Sequence, residues 1–495
     1  MGQFLGQRRR SVSVCVGRTS LLFALFLVYS AASGQTSTRT TVASASKLPD
    51  IVFVQTPKLV PGLLAQRFPQ GSAIVRLPSG SAQKDVARLT DGFFAAADPQ
   101  VSFDGSRILF SGQRAQGDLW QLWEMNLDGS TKRQMTHCAE DCLRGAYLPA
   151  DEIAVTVEDA NGPRALSYLA VLKGDGSGFH RITFGNAPFQ LETVLRDGRI
   201  VASAPWPLEG TEPPATRILY TLRPDGTALE SFRCEHSSKG IQNHAEELGD
   251  GSLVFVRNPA TTAQIAGELM RIRQGAAIAT PAGPRQIAFE SASAVSSDEL
   301  LVAKQIVGTS AAPRFDIYTF NLQTNTFGAQ VYADPKLSSI QPTPIITRTV
   351  PKHYWDTLNP QSPTGNFISL NSYLSTDAPH GRISAQIARV RVFTLDTDSH
   401  ERNLGDAPVE SDGSFFVQVP ANWPVRFVLL DGKGQIIREE RGWIWTRPGE
   451  ERGCTGCHGD KALTPENHWP ETLRRFDTPT PMGEVNHGSA ESQTN

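Results

Sequence analysis

"DPQVSFDGSRILFSG", Asp98 to Gly112, decides how this chain is read. Asp104-Gly105 supplies a turn, and Ile108-Leu109-Phe110 supplies the apolar strand that leaves it. A turn pair between two apolar runs marks a hairpin. The unit recurs as "YLPADEIAVTV" at Asp151, "VLRDGRIVAS" at Asp197, "LGDGSLVFVR" at Asp250 and "SSDELLVAK" at Asp298. Successive aspartates stand 47, 46, 53 and 48 residues apart. A second set of turns lies between them, at Asp128-Gly129, Asp175-Gly176, Asp225-Gly226 and Gln274-Gly275. Four short strands in about 40–50 residues is the arithmetic of a propeller blade.

Five such units fill roughly 98–340, and the chain ends of the region complete a sixth. "PDIVFVQTP" and "SAIVRLP" near the N-terminus supply some of its strands, and "SIQPTPIITR" supplies the innermost one. Sharing one blade between the ends closes the ring and protects its edges. The opening unit resembles the TolB-type propeller repeat, which implies a fold and not a function. The expected fold class is all-β. A TolB/WD40-like propeller of about six blades spans 48–348, and a small antiparallel β-sandwich-like domain follows over 349–475. Residues 476–495 read as a flexible tail.

The second domain carries "ERGCTGCHGDK", Glu451 to Lys461. Cys-x-x-Cys-His is the attachment signal of c-type haem, with Cys454 and Cys457 as thioether donors and His458 as proximal iron ligand. A redox dithiol and half a zinc site are the alternatives. Upstream, "APVESDGSFFVQVPANWPVRFVLLDGKGQIIREERGWIW" reads as a meander of short strands. Trp443 and Trp445 lie one strand period apart and share a face, either as a core seam or against the haem edge. His468, Met482 and His487 are the candidates for the distal iron ligand, His468 being nearest in sequence. A vacant sixth position is the other reading.

The start fits this chemistry. Arg8, Arg9, Arg10 and Arg18 precede the apolar run Leu21–Tyr29 and the small residues Ala31-Ala32-Ser33-Gly34, the pattern of a secretory signal over 1–34. An uncleaved anchor is the alternative. Its removal takes four of 47 basic residues and none of the 50 acidic ones, so the mature chain is acidic. No nucleic-acid partner is expected, nor a membrane span in the mature chain. The expected location is periplasmic or secreted, where disulfides persist. Cys138 and Cys142 in "HCAEDCLRG" then read as a short-loop disulfide. Cys234, with His236 and His244, is a candidate site for a second metal such as zinc.

Pro408 to Phe415, Val419 to Pro424, Asp431 to Gly434 and Trp445 to His458 together resemble the middle domain of the hydrazine synthase alpha-subunit family, and "NSYLST" with "HGRI" at 371–383 fits its opening. That enzyme is a multi-haem, multi-subunit machine joining nitric oxide and ammonium. The resemblance implies a covalent haem c, a redox partner or other envelope subunit, and a motif histidine that engages zinc while a downstream tyrosine ligates iron. In this sequence no tyrosine follows His458, and Ala462 stands four residues on. A single Cys-x-x-Cys-His is present. The expectation is a monohaem protein of electron transfer or small-ligand redox chemistry, with hydrazine synthesis itself not carried over. The alternative is an envelope binding or scaffold protein whose haem is structural or sensory.

Overall fold

The structure is a computed structural model that describes residues 48–456 except 63, 82–84, 160–165, 209–215, 233–239, 260–264, 277, 308–312, 376–377 and 397, together with 469–475 and 478–483. The proposed leader 1–34 lies outside the described residues. So do Cys234, His236, Cys457, His458, His468 and His487. Among the described residues no helix is long and apolar enough to cross a membrane.

Six four-stranded blades form the propeller. The innermost strands are Ser338–Pro344 for blade one, then Ala95–Val101, Asp141–Leu148, Gln190–Val194, Gly240–Glu247 and Phe289–Ala294 for blades two to six. Each packs beside the next, and the last returns to Ser338–Pro344. Blade one is the shared blade: Ser338–Pro344 pairs antiparallel with Ile51–Thr56. Blades four and five are joined by a short parallel pairing of Thr216 with Gly240 and Arg217 with Ile241.

The Asp-Gly turns are held by their own side chains. Asp104 accepts the Ser106 amide at 3.1 Å and the Ser102 hydroxyl at 2.5 Å, and these bonds hold its carboxyl down to about 2. Asp128, Asp175, Asp225 and Asp250 each accept the amide two residues on. Such local bonds fix the hairpin while the flanking apolar strands fill the interblade cores.

The second domain is a sandwich of two four-stranded sheets. One is antiparallel throughout, in the order Glu401–Pro408, Arg389–Leu395, Val425–Leu430, Ile436–Glu439. The other corrects the expected all-antiparallel meander: Glu451–Cys454 runs parallel to Thr364–Ser369, and Thr480–Pro481 parallel to Phe415–Pro420. Each parallel strand arrives from a distant part of the chain, the connection that parallel pairing needs. Phe367, Val390, Val392, Val417, Val425 and Leu429 form the shared core.

Of the expected flexible tail, only 478–483 are described, and these are docked: Met482 is buried in that core, and its amide donates to the Gln418 carbonyl at 2.9 Å. Its sulfur is a packing group there, which removes it from the candidates for an iron ligand. The apolar Met482 side chain and the backbone pairing beside it dock a segment whose composition reads as loose.

Candidate cofactor site

Propeller and sandwich belong to one compact unit, and their junction is built from named contacts. Trp445 is fully buried in the blade-three and blade-four core, with Phe184 and Phe189 edge-on to its ring at 5.9 and 5.8 Å. Its indole donates to the Gly226 carbonyl at 3.1 Å. Arg447 donates through Nε to the Asp225 carbonyl at 2.7 Å, and Arg452 to the Leu229 carbonyl at 2.7 Å. The Trp443 amide donates to the Leu208 carbonyl at 3.0 Å. Gly226 sits at φ +83°, and a Cβ there would lie 2.4 Å from the Ile182 carbonyl oxygen, so the receiving turn takes only glycine.

The crossover between the domains is packed along the propeller. The Arg348 amide donates to the Phe103 carbonyl at 2.8 Å and the Lys352 amide to the Arg196 carbonyl at 3.3 Å. Tyr354 lies under Arg223, 5.1 Å from its guanidinium.

Cys454 ends the strand Glu451–Cys454, half-buried, between two spaces. On one side is a small apolar pocket of about 70 Å³ inside the sandwich, walled by Phe367, Phe415, Phe427, Leu429 and Ile444. On the other is a cleft of about 640 Å³ between the domains. Blade four provides Trp206, Arg223, Thr227 and Leu229 to that cleft. The crossover provides Thr357 and Leu358, and the sandwich provides Glu450, Arg452, Cys454 and Gly456. Burial pushes the Cys454 thiol up, with Arg452 pulling it partly back. Burial likewise raises the Glu450 carboxyl. Gly456, inside the Cys-x-x-Cys-His run, is pressed on the backbone: a Cβ would stand 2.7 Å from the Leu374 carbonyl oxygen.

These residues fit a covalent haem. Cys454 borders a cleft of the size that takes a large planar ligand, walled by Trp206 and Leu229, by the guanidinium groups of Arg223 and Arg452, and by the carboxylates of Glu230, Glu440, Glu450 and Glu451. The assignment of Trp445 to the cofactor is corrected. Its ring is enclosed by protein on all sides and serves as the wedge between domains, because an apolar indole gains more from the blade core than from a solvent-facing edge. Cys138 and Cys142 are disulfide-bonded, as the spacing suggested, and the pair packs between blades two and three, whereas blade four lines the cleft.

His244 is corrected in the same way. It lies on the innermost strand of blade five, at a bulge with φ +49°. Its Nε2 faces Arg67 Nη2 at 3.2 Å, and Arg67 also donates to Glu290 at 2.7 Å. Burial and the charges of Arg67 and Arg144 push the imidazole well below its ordinary value. With Arg67 Nη2 and Glu290 Oε1, the latter at 3.4 Å, both against it, Nε2 is not open to a metal.

Sequence reading missed the ring to which His244 belongs. Asp98, Arg144, Glu192, His244, Ser291 and Gln341, one from each blade, line a single cavity on the propeller axis. Each stands at a break in the strand register. A bulge re-aims a side chain, here toward the channel. Arg144 pairs with Glu192 at 3.3 Å, and Gln341 donates to Asp98 at 2.8 Å. A polar residue five to seven positions before each turn aspartate was the available signal.

The comparisons agree with this architecture. Residues 371–459 match the family described as the hydrazine synthase alpha subunit middle domain. The hydrazine synthase subunit alpha of Kuenenia stuttgartiensis is 24% identical over 541 aligned positions, covering 82% of this chain, and the chain spans 65% of that relative's length. The solved Kuenenia stuttgartiensis hydrazine synthase superposes with a TM-score of 0.76 at 20% identity, over 86% of this chain and 72% of that one. A putative TolB from Agrobacterium tumefaciens is looser, 12% identical with a TM-score of 0.39 over 57% of this chain and 88% of its own. It adds nothing to the propeller assignment, which rests on blade topology.

Proposed function

We propose, from the match of residues 371–459 to the hydrazine synthase alpha subunit middle domain and their setting against a propeller, that the protein is a periplasmic monohaem c-type protein of electron transfer or small-ligand redox chemistry, acting with a partner protein. The observation that carries this reading is Cys454, first cysteine of the Cys-x-x-Cys-His run, opening onto the interdomain cleft. Cys454 and Cys457 would hold the porphyrin and His458 the iron. When bound, haem supplies one-electron redox chemistry and a coordination position for a small ligand. The chain's own residues shape its surroundings. Phe367, Phe415 and Phe427 keep the thiol side apolar, and the docked blade-four turn fixes the opposite wall. One haem passes one electron at a time, so any multi-electron conversion needs a partner. Likeness to one subunit of a hydrazine synthase supports such a partner. Hydrazine synthesis is not assigned.

Expression in a host that matures c-type cytochromes, followed by a haem stain of a denaturing gel, tests the attachment. A band is expected for the intact chain and none after Cys454→Ala with Cys457→Ala. A band that survives both changes overturns the reading. Optical spectra then divide the two chemistries. High-spin iron that binds carbon monoxide or nitric oxide supports ligand chemistry, and low-spin iron indifferent to both supports electron transfer.

A further inference from the structure

We propose that Arg223, on the propeller wall of the cleft, binds a propionate carboxylate of the porphyrin whose other edge is fixed at Cys454. The inference rests on the haem reading above. A porphyrin carries its vinyl groups and its propionates on opposite edges. Attachment to a cysteine on the sandwich wall therefore directs two carboxylates toward the propeller wall, and burying a carboxylate without a charge or donor partner is costly.

Six charged residues line the cleft, the carboxylates Glu230, Glu440, Glu450 and Glu451 and the guanidinium groups of Arg223 and Arg452. Glu451 accepts the Asn366 side-chain amide at 3.3 Å. Glu230 is paired with Arg199 at 3.1 Å. Glu450 accepts the Arg447 amide at 2.8 Å. Arg452 is tied to the Trp445 and Leu229 carbonyls at 3.0 and 2.7 Å. Arg223 is different: its guanidinium lies over the Tyr354 ring at 5.1 Å and has no carboxylate partner among the described residues. Its backbone is rigid. The Arg223 amide donates to the Thr227 carbonyl at 3.0 Å, and the Gly226 amide to the Arg223 carbonyl at 2.9 Å. That same turn receives Trp445 and Arg447, so domain docking fixes where Arg223 stands relative to Cys454. A stacked guanidinium with a free fork is suited to a carboxylate.

The test uses the full haem-loaded chain. The reduction potential is followed spectroscopically against pH in the wild type, Arg223→Lys, Arg223→Gln and Arg223→Ala. An opposite charge lowers a carboxyl pKa by about one to three units. Loss of Arg223 is therefore expected to move the propionate-linked step in potential up by about one pH unit or more, and to lower the potential at neutral pH. Arg223→Lys should restore most of both. Unchanged melting temperature with a shifted step separates this role from a structural one. If Arg223→Ala fails to accumulate, Arg223→Gln, neutral and of similar reach, is read in its place. Full haem content with an unmoved step in the neutral variants overturns the inference and leaves haem attachment standing. A wild-type chain without covalent haem overturns both.

Discussion

Trp445 donates its indole N–H to the carbonyl of Gly226 at 3.1 Å, a bond between residues 219 positions apart that joins sandwich to propeller. The ring is fully buried beside Phe184 and Phe189. Trp445→Phe keeps most of the apolar contact and strands the Gly226 carbonyl, at a cost of about 1–3 kcal/mol. Trp445→Ala also opens a cavity and costs about 3–5 kcal/mol. Calorimetry should show one unfolding transition for the wild type and separated transitions for Trp445→Ala.

The Cys454 thiol gives a second prediction. Burial raises its pKa above the ordinary thiol value, and the thiolate is the nucleophile. In haem-free protein carrying Cys457→Ser, iodoacetamide should alkylate Cys454 slowly at neutral pH. The rate should climb only at a higher pH than for a free thiol. A rate profile matching free cysteine would contradict the half-buried position.

Gly456 gives a third. Its missing Cβ lets the backbone at Gly456 lie on the Leu374 carbonyl, where an added carbon would sit at 2.7 Å. Gly456→Ala should displace the run and lower covalent haem per polypeptide severalfold. The interdomain contacts of Trp445, Arg447 and Arg452 are untouched, so the single melting transition should remain. Haem content by absorbance and stability by calorimetry check the two halves separately.

The channel gives a fourth. The folded His244 pKa lies below its ordinary 6.5, from burial first and then from Arg67 and Arg144. Above pH 6.5 both folded and unfolded chains hold it neutral, so it exacts no penalty there. As pH falls from 6.5 toward the lowered folded value, only the unfolded chain takes the proton, and stability is lost. Glu290 and Glu246 act oppositely, since burial raises both carboxyls and acid relieves their cost. The stability difference between wild type and His244→Gln, measured by denaturant at several pH values, isolates the histidine and should shrink below pH 6.5. Arg67→Met leaves Glu290 buried without its partner and should cost about 3–5 kcal/mol.

The sequence by itself determined the repeat, the closing blade and the haem motif. The reason is that each is written locally: an Asp-Gly turn bonds to its own neighbours within two residues, and Cys-x-x-Cys-His is five residues long. Only the tertiary structure decided what the side chains face. Trp443 and Trp445 share a face as any two residues one strand period apart do, and nothing in that period says that the face is covered by blade four. His244 looks like a loop ligand beside Cys234 until the bulge in Gly240–Glu247 turns it to Arg67, 177 positions earlier. Met482 sits in a polar, proline-rich tail whose composition gives no hint of the core position it fills. Contacts across such separations depend on how sheets pack, and packing is a property of surfaces brought together, not of the neighbours along the chain.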